Sequence, residues 1–181
     1  MKKILVIVDM QNDFLTGPLG NAECAATVPE VIKLIESGEY DAIITTQDTH
    51  FDDYLNTQEG KNLPVVHCIM DTEGWQIHND VKKALDAKCE TDDLKVAVIT
   101  KHSFGNMDKL PRLLRQFEGD IEEIHFCGVC TGICVISNVL ITKAAVPETK
   151  ICVIEKACAC VTPESHKTAI EAMKMCQVEV I

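Results

Sequence analysis

No apolar run in this chain comes near the roughly 20 residues that a membrane-spanning helix needs, so no span is expected. Basic residues are scarce as well. Seventeen Lys and Arg stand against 28 Asp and Glu, a formal net charge of −11. That balance argues against nucleic acid and acidic membrane surfaces as partners, because both are held through an excess of lysine and arginine, and it favours solubility. Repeats, low-complexity stretches and long linkers are lacking too. At 181 residues the chain is in the range of one domain with a core of its own, and one domain over residues 1–181 is expected. A basic-then-apolar export pattern is also missing, since Met1-Lys2-Lys3 runs straight into a five-residue apolar stretch that stops at Asp9. The ten cysteines are therefore expected to be reduced thiols in the cytoplasm and not a disulfide framework.

What is present is an alternation of short β-branched runs with amphipathic stretches. Strands are predicted near 3–9, 41–47, 95–100, 122–128, 150–155 and 177–181, and helices near 27–37, 78–87, 108–117, 134–145 and 163–175. This pattern predicts an α/β protein in three layers, α/β/α, with a six-stranded parallel sheet of Rossmann-like type covered on both faces. The last helix carries its own start signal: Thr162 as N-cap, Pro163 at the first position and Glu164 in the first turn. The least regular part runs from Asp48 to Trp75, and so long a loop in a compact domain is usually functional.

Three of the predicted strands end on reactive side chains. Ile4 to Val8 ends in Asp9, Val96 to Thr100 ends in Lys101, and the apolar run Ile124 to Phe126 leads into Cys127-Gly128-Val129-Cys130-Thr131-Gly132-Ile133-Cys134-Val135. Ligands of open parallel sheets sit at the carboxyl ends of the strands, so an acid, a base and a thiol at three such ends can converge. Cys134 at the start of a helix is expected to have its thiolate favoured by unpartnered N–H groups and the positive end of the dipole. Asp9 would take the thiol proton, and Lys101 would favour the thiolate and the charges that follow its attack on a carbonyl carbon.

These residues resemble the isochorismatase-like cysteine hydrolases, whose best-studied members include nicotinamidases. The match rests on Asp9-x-Gln11-Asn12-Asp13-Phe14, Lys101, Gly128-x-x-Thr131-Gly132-x-Cys134-Val135, and the late segments Glu155-Lys156-Ala157-Cys158 and Thr162-Pro163-Glu164-x-His166. The resemblance implies Cys134 as nucleophile, Asp9 as general base and Lys101 as third member of the triad. It implies a cis Val129–Cys130 peptide and an oxyanion hole made by the amides of Cys130 and Cys134. It also implies a divalent metal (zinc, iron or manganese) on Asp48, His50 and His67 that grips a pyridine nitrogen, and a homo-oligomer as the working form. Nitrogen and oxygen ligands of this kind suit those metals. The chain departs from the family pattern at Asn56, where many nicotinamidases have another histidine, and at Asp71, where glycine is usual.

A small amide is accordingly the expected substrate, with nicotinamide first and a carbamoyl or ureido compound as the closest rival. Phe14, Phe104 and Trp75 are candidates for lining an aromatic-substrate pocket. Two readings compete. Cys127-x-x-Cys130-x-x-x-Cys134 has spacings that thiolate metal or iron–sulfur sites use, and a reactive thiol can serve a redox-sensing or binding protein that hydrolyses nothing. Cys24, Cys89, Cys152, Cys158, Cys160 and Cys176 read as small apolar fillers. His102 and His166 read as hydrogen-bonded surface histidines.

Overall fold

A computed structural model describes residues 2–91, 94–117 and 120–181. Six strands form one all-parallel sheet: β1 (Lys2–Val8), β2 (Ala42–Asp48), β3 (Lys95–Lys101), β4 (Ile121–Val129), β5 (Lys150–Ala159) and β6 (Glu179–Val180), in the order β3-β2-β1-β4-β5-β6. The helices are α1 (Asn12–Leu15), α2 (Ala22–Ala26), α3 (Val28–Glu36), α4 (Gln58–Asn62), α5 (Asn79–Thr91), α6 (Lys109–Arg115), α7 (Ile136–Ala145) and α8 (Pro163–Met175). Helix α3 packs on α5, and α7 packs on α6 and α8. The result is the three-layer α/β/α arrangement that the alternation predicts.

The centre of the sheet explains its stability. Ile4, Leu5, Val6, Ile7 and Val8 of β1 are completely buried between the helix layers, and each such side chain contributes about 1.5–3 kcal/mol when removed from water. An uninterrupted apolar run is what a strand buried on both faces requires. Strand order reverses between β1 and β4, so the carboxyl ends of these neighbours open the crevice in which α/β sheets hold their ligands. Gly128 is where β4 must pass β1 most closely. At φ +114° it occupies backbone space unsuited to L side chains, and a Cβ there would lie 2.1 Å from the carbonyl oxygen of Val8.

The helix predicted near 27–37 is α3, and a short helix that the periodicity did not show, α2, precedes it and meets it at Thr27. Pro29 lies in the first turn of α3 and has no N–H to continue the ladder backward, so the chain turns there. Helix α5 extends to Thr91, past the expected 87. The last strand is only two residues long because Gln177 takes a left-handed turn at φ 63°, although the Ile181 amide and carbonyl still pair with Val153 and Glu155. Residues 48–75 contain a 3₁₀ turn, Tyr54–Asn56, and α4, neither of which periodicity revealed.

Candidate active site

Asp9, Lys101 and Cys134 come together in the crevice between β1 and β4. Lys101 Nζ lies 2.7 Å from Asp9 Oδ2 and 3.6 Å from Cys134 Sγ, and its side chain is 1% exposed. The Thr46 hydroxyl donates to Asp9 Oδ1 at 2.6 Å, and the Asp9 backbone stands in the left-handed region at φ 48°, turning the carboxylate out of the strand line. Cys134 lies in a π-helical turn, Thr131–Val135, that joins β4 to α7. In that turn the Val135 amide reaches back to the Cys130 carbonyl at 3.1 Å. The Val129–Cys130 peptide just before it is cis, as the resemblance implies. Asn138, one turn further on, donates to the Cys134 and Phe104 carbonyls and accepts from the Asn106 amide, which fixes the turn against the loop after β3.

The electrostatics correct one expectation. Burial pushes the Cys134 thiol well above its ordinary value; Lys101 opposes this, and Asp9 and Asp48 add to the rise. The net direction is toward the thiol, opposite to the expected ease of forming the thiolate. Burial likewise raises Asp9, with Lys101 pulling it down and Asp48 pushing it up. Lys101 is disfavoured as a cation by burial, yet Asp9, Cys134 and Asp48 outweigh that and hold it well above its usual range. The cation is thus permanent, and the movable proton belongs to the thiol and the Asp9 carboxylate.

Asp48 carries this centre into a second one. Its Oδ1 lies 3.1 Å from Lys101 Nζ, while its Oδ2 faces His50 Nε2 at 3.2 Å and His67 Nε2 at 3.8 Å. Glu59 from α4 closes the group, 3.6 Å from His50 Nε2 and 3.9 Å from His67 Nε2. One donor atom from each of Asp48, His50, Glu59 and His67 lies within 4.8 Å of all the others. The ring of His67 is oriented by its Nδ1, 2.8 Å from the Val65 carbonyl, which leaves Nε2 as the inward lone pair. Two carboxylates and two inward imidazoles fit a divalent cation.

The two centres share a cavity of about 260 Å³. Its floor is Asp48, Glu59, His67 and Cys134, and its apolar walls include Phe14, Leu19, Leu63, Phe104, Ile133 and Val161. Phe14 and Phe104 thus lie where an aromatic-substrate pocket would need them. Trp75 does not line the cavity. Its indole N–H donates to the Thr49 hydroxyl at 2.9 Å, and its carbonyl accepts from the side chains of Gln11 and Gln47, so it ties the long loop to the strand ends.

A family model described as the Isochorismatase domain matches residues 3–181. The chain belongs to this family. It is 26% identical over 197 residues to the nicotinamidase/pyrazinamidase of Mycobacterium tuberculosis, a match that covers 99% of this chain and 98% of that protein. The crystal structure of the nicotinamidase/pyrazinamidase PncA from Bacillus subtilis superposes with a TM-score of 0.83 at 24% identity, covering 99% of both chains. The pyrazinamidase of Pyrococcus horikoshii in complex with zinc gives 0.79 at 23% identity, covering 100% of this chain and 99% of that one.

Both departures from the family pattern have a physical place in the fold. Asn56 is exposed in the 3₁₀ turn and stays out of the ligand group. Glu59, three residues later, supplies the fourth side chain; α4 can press against the turn because Gly60 has no Cβ, which would lie 2.1 Å from the Tyr54 carbonyl oxygen. Asp71 adopts φ 66°, which explains why glycine suits that position. Sequence reasoning missed Glu59 because an acidic residue in an irregular segment carries no periodic signal. Cys127, Cys130 and Cys134 are not gathered into a ligand group among the described residues, and Cys127 points into the core. Cys89 and Cys176 are exposed and so are not core fillers, whereas Cys24, Cys152, Cys158 and Cys160 are buried. His102 is hydrogen-bonded to the Thr49 carbonyl and His166 to the Thr131 hydroxyl.

Proposed function

We propose that this protein hydrolyses the carboxamide of a small heteroaromatic ring, nicotinamide first, to the carboxylate and ammonia. The observation that carries the reading is that a buried Asp9–Lys101–Cys134 group and a group of four candidate metal ligands, joined through Asp48, meet at one small cavity with apolar walls. A cavity of about 260 Å³ is below the usual range for drug-sized ligands and suits a single ring with one substituent.

Asp9 takes the Cys134 proton as Sγ attacks the carbonyl carbon, which forms the C–S bond and puts negative charge on the carbonyl oxygen. The amides of Cys130 and Cys134 hold that oxyanion. Collapse breaks the C–N bond, and Asp9 returns the proton to the departing ammonia. Water then adds to the thioester with its proton going to Asp9, the C–S bond breaks, and Cys134 recovers its thiol. Lys101 stays an ammonium throughout and offsets the carboxylate next to it. Phe14, Phe104 and the aliphatic walls exclude water and seat the ring.

Asp48, His50, Glu59 and His67 would hold a divalent metal, with zinc, iron and manganese as the candidates. When bound, it supplies a Lewis-acid grip on a ring nitrogen and so orients the carboxamide. Asp48 keeps the two centres in register by facing Lys101 with one oxygen and the metal group with the other.

Ammonia release from nicotinamide, measured with and without added zinc or manganese for wild type and Cys134→Ala, tests the reading. Metal-assisted turnover that disappears in the variant is expected. Turnover that survives in Cys134→Ala overturns the nucleophile. Silence toward nicotinamide with turnover of carbamoyl or ureido compounds would move the substrate to that class.

A further inference from the structure

Three thiols meet behind the nucleophile turn. Cys130 and Cys160 each follow a residue of the Val129–Ala159 strand pair, Cys24 Sγ donates to the Cys160 carbonyl at 3.7 Å, and the Gly132 amide points at Cys160 Sγ at 3.4 Å. The half-buried Cys130 lines the substrate cavity. Cys160 lines a separate cavity of about 270 Å³ on the other side of the turn, together with Glu23, Thr27, Lys156 and His166. Each thiol of the pair thus lines a cavity of its own.

We propose that Cys130 and Cys160 are a reversible disulfide site that responds to hydroperoxides and switches the nucleophile turn off. Their placement follows from the sheet. Gly128 pairs with Cys158 and Val129 with Ala159 across β4 and β5, and Cys130 and Cys160 are the next residue of each chain, just past the two strand ends. Neighbouring strands lie about 4.7–4.9 Å apart where they pair, so the two chains leave the Val129–Ala159 pair close together, near the Cα separation of about 4.4–6.8 Å that a disulfide needs. Chemistry distinguishes the two thiols. The S–H of Cys130, foremost, together with Ser165 and the amides of Gly132 and Val161, brings Cys160 down to about 5, against the opposing effect of burial. Cys160 is then the attacking thiolate and Cys130 the resolving thiol.

The steps balance. Cys160 sulfur attacks the peroxide, forming an S–O bond as the O–O bond breaks, and a hydroxide or alkoxide leaves to take up a proton. Cys130 sulfur displaces the sulfenic oxygen as water, and the S–S bond forms. Two thiols give up two electrons and two protons, and hydrogen peroxide becomes two waters. The cross-link takes Gly132 away from its sulfur acceptor and moves the residue whose amide forms half of the oxyanion hole. The inhibitory consequence, though not the disulfide, rests on the hydrolase reading.

Wild type and Cys134→Ala treated with hydrogen peroxide, alkylated and mapped by peptide mass spectrometry test this directly. Loss of two hydrogens with a Cys130–Cys160 cross-linked peptide is expected in both proteins, reversed by dithiothreitol and absent from Cys160→Ser. Wild-type ammonia release should fall in proportion to the cross-linked fraction. Free Cys130 and Cys160 in treated protein, or a Cys24–Cys130 link in their place, overturns the site. The mass measurement requires no turnover, so a failure of the hydrolase reading is visible separately.

Discussion

The side chain of Gln11 clamps the backbone of Asp48 from both sides. Its Oε1 accepts from the Asp48 amide at 2.7 Å, and its Nε2 donates to the Asp48 carbonyl at 2.9 Å and to the Trp75 carbonyl at 2.8 Å. One buried amide thereby fixes the end of β2 against the chain leaving β1 and sets the carboxylate that faces both Lys101 and the imidazoles. Gln11→Ala removes that clamp and strands buried polar groups, each costing about 1–3 kcal/mol. A lowered melting temperature is expected together with weaker zinc binding by calorimetry. Loss of stability with unchanged metal affinity would assign Gln11 a purely structural part.

Asp9 is the proton carrier in the proposed chemistry, and Lys101 does not depend on it alone. In Asp9→Asn the Lys101 ammonium keeps Asp48 at 3.1 Å, so the fold is expected to survive. The general base is lost, and such groups contribute about 10²–10⁴-fold. Single-turnover kinetics should show acylation slowed by that order with circular dichroism unchanged. A rate near wild type would mean that another group takes the thiol proton.

The sheet was legible because burial on both faces demands uninterrupted apolar strands, and Ile4 to Val8 meet that demand completely. The strand-end positions of Asp9, Lys101 and Cys134 followed from the same reasoning. Cys134's raised proton affinity did not, because it comes first from the burial of the thiol in the folded core and then from the balance of Lys101 against Asp9 and Asp48 beside it. Trp75 looked like a pocket residue on aromaticity alone, yet its N–H needed a partner and found Thr49. Glu59 and the Cys130–Cys160 juxtaposition were illegible for one reason. Each joins residues whose proximity is set by tertiary packing, a Gly60 contact in one case and a strand register in the other.

Glu59 and His67, with Asp48, are the members of the candidate metal group that line the cavity. Burial and the neighbouring Asp48 raise the Glu59 carboxyl, while the imidazoles and Lys101 pull it down, so the metal-free group crowds negative charge around Asp48. Glu59→Gln removes one negative charge while keeping the volume. Weaker zinc binding in equilibrium dialysis is expected, with a raised KM and a smaller effect on kcat, because in the proposed function the group orients the substrate. His67→Ala should lose metal more fully, since its Nε2 has no substitute. Unchanged metal content in both variants would take Glu59 and His67 out of the ligand set.

Far from the cavity, at the amino end of the sheet, Glu123 is expected to contribute to acid stability. Lys150 Nζ meets its Oε1 at 2.9 Å, His125 Nε2 meets its Oε2 at 2.8 Å, and Lys3 Nζ lies 3.8 Å away. The Tyr40 hydroxyl is 3.0 Å from the other ring nitrogen of His125, which fits a ring that accepts from Tyr40 and donates to Glu123. Lys150 and His125 bring the Glu123 carboxyl from 4.5 down to about 2. A depressed carboxylate stabilises the fold above its unfolded value and loses that contribution as pH falls toward its folded one. Urea midpoints for wild type should therefore fall as pH drops from about 4.5 to about 2, beyond the general loss from other carboxylates. Glu123→Gln should be the less stable protein at neutral pH, with the difference closing through that window. Parallel curves for the two proteins across the whole range would show that Lys3, Lys150 and His125 do not favour the ionised carboxylate.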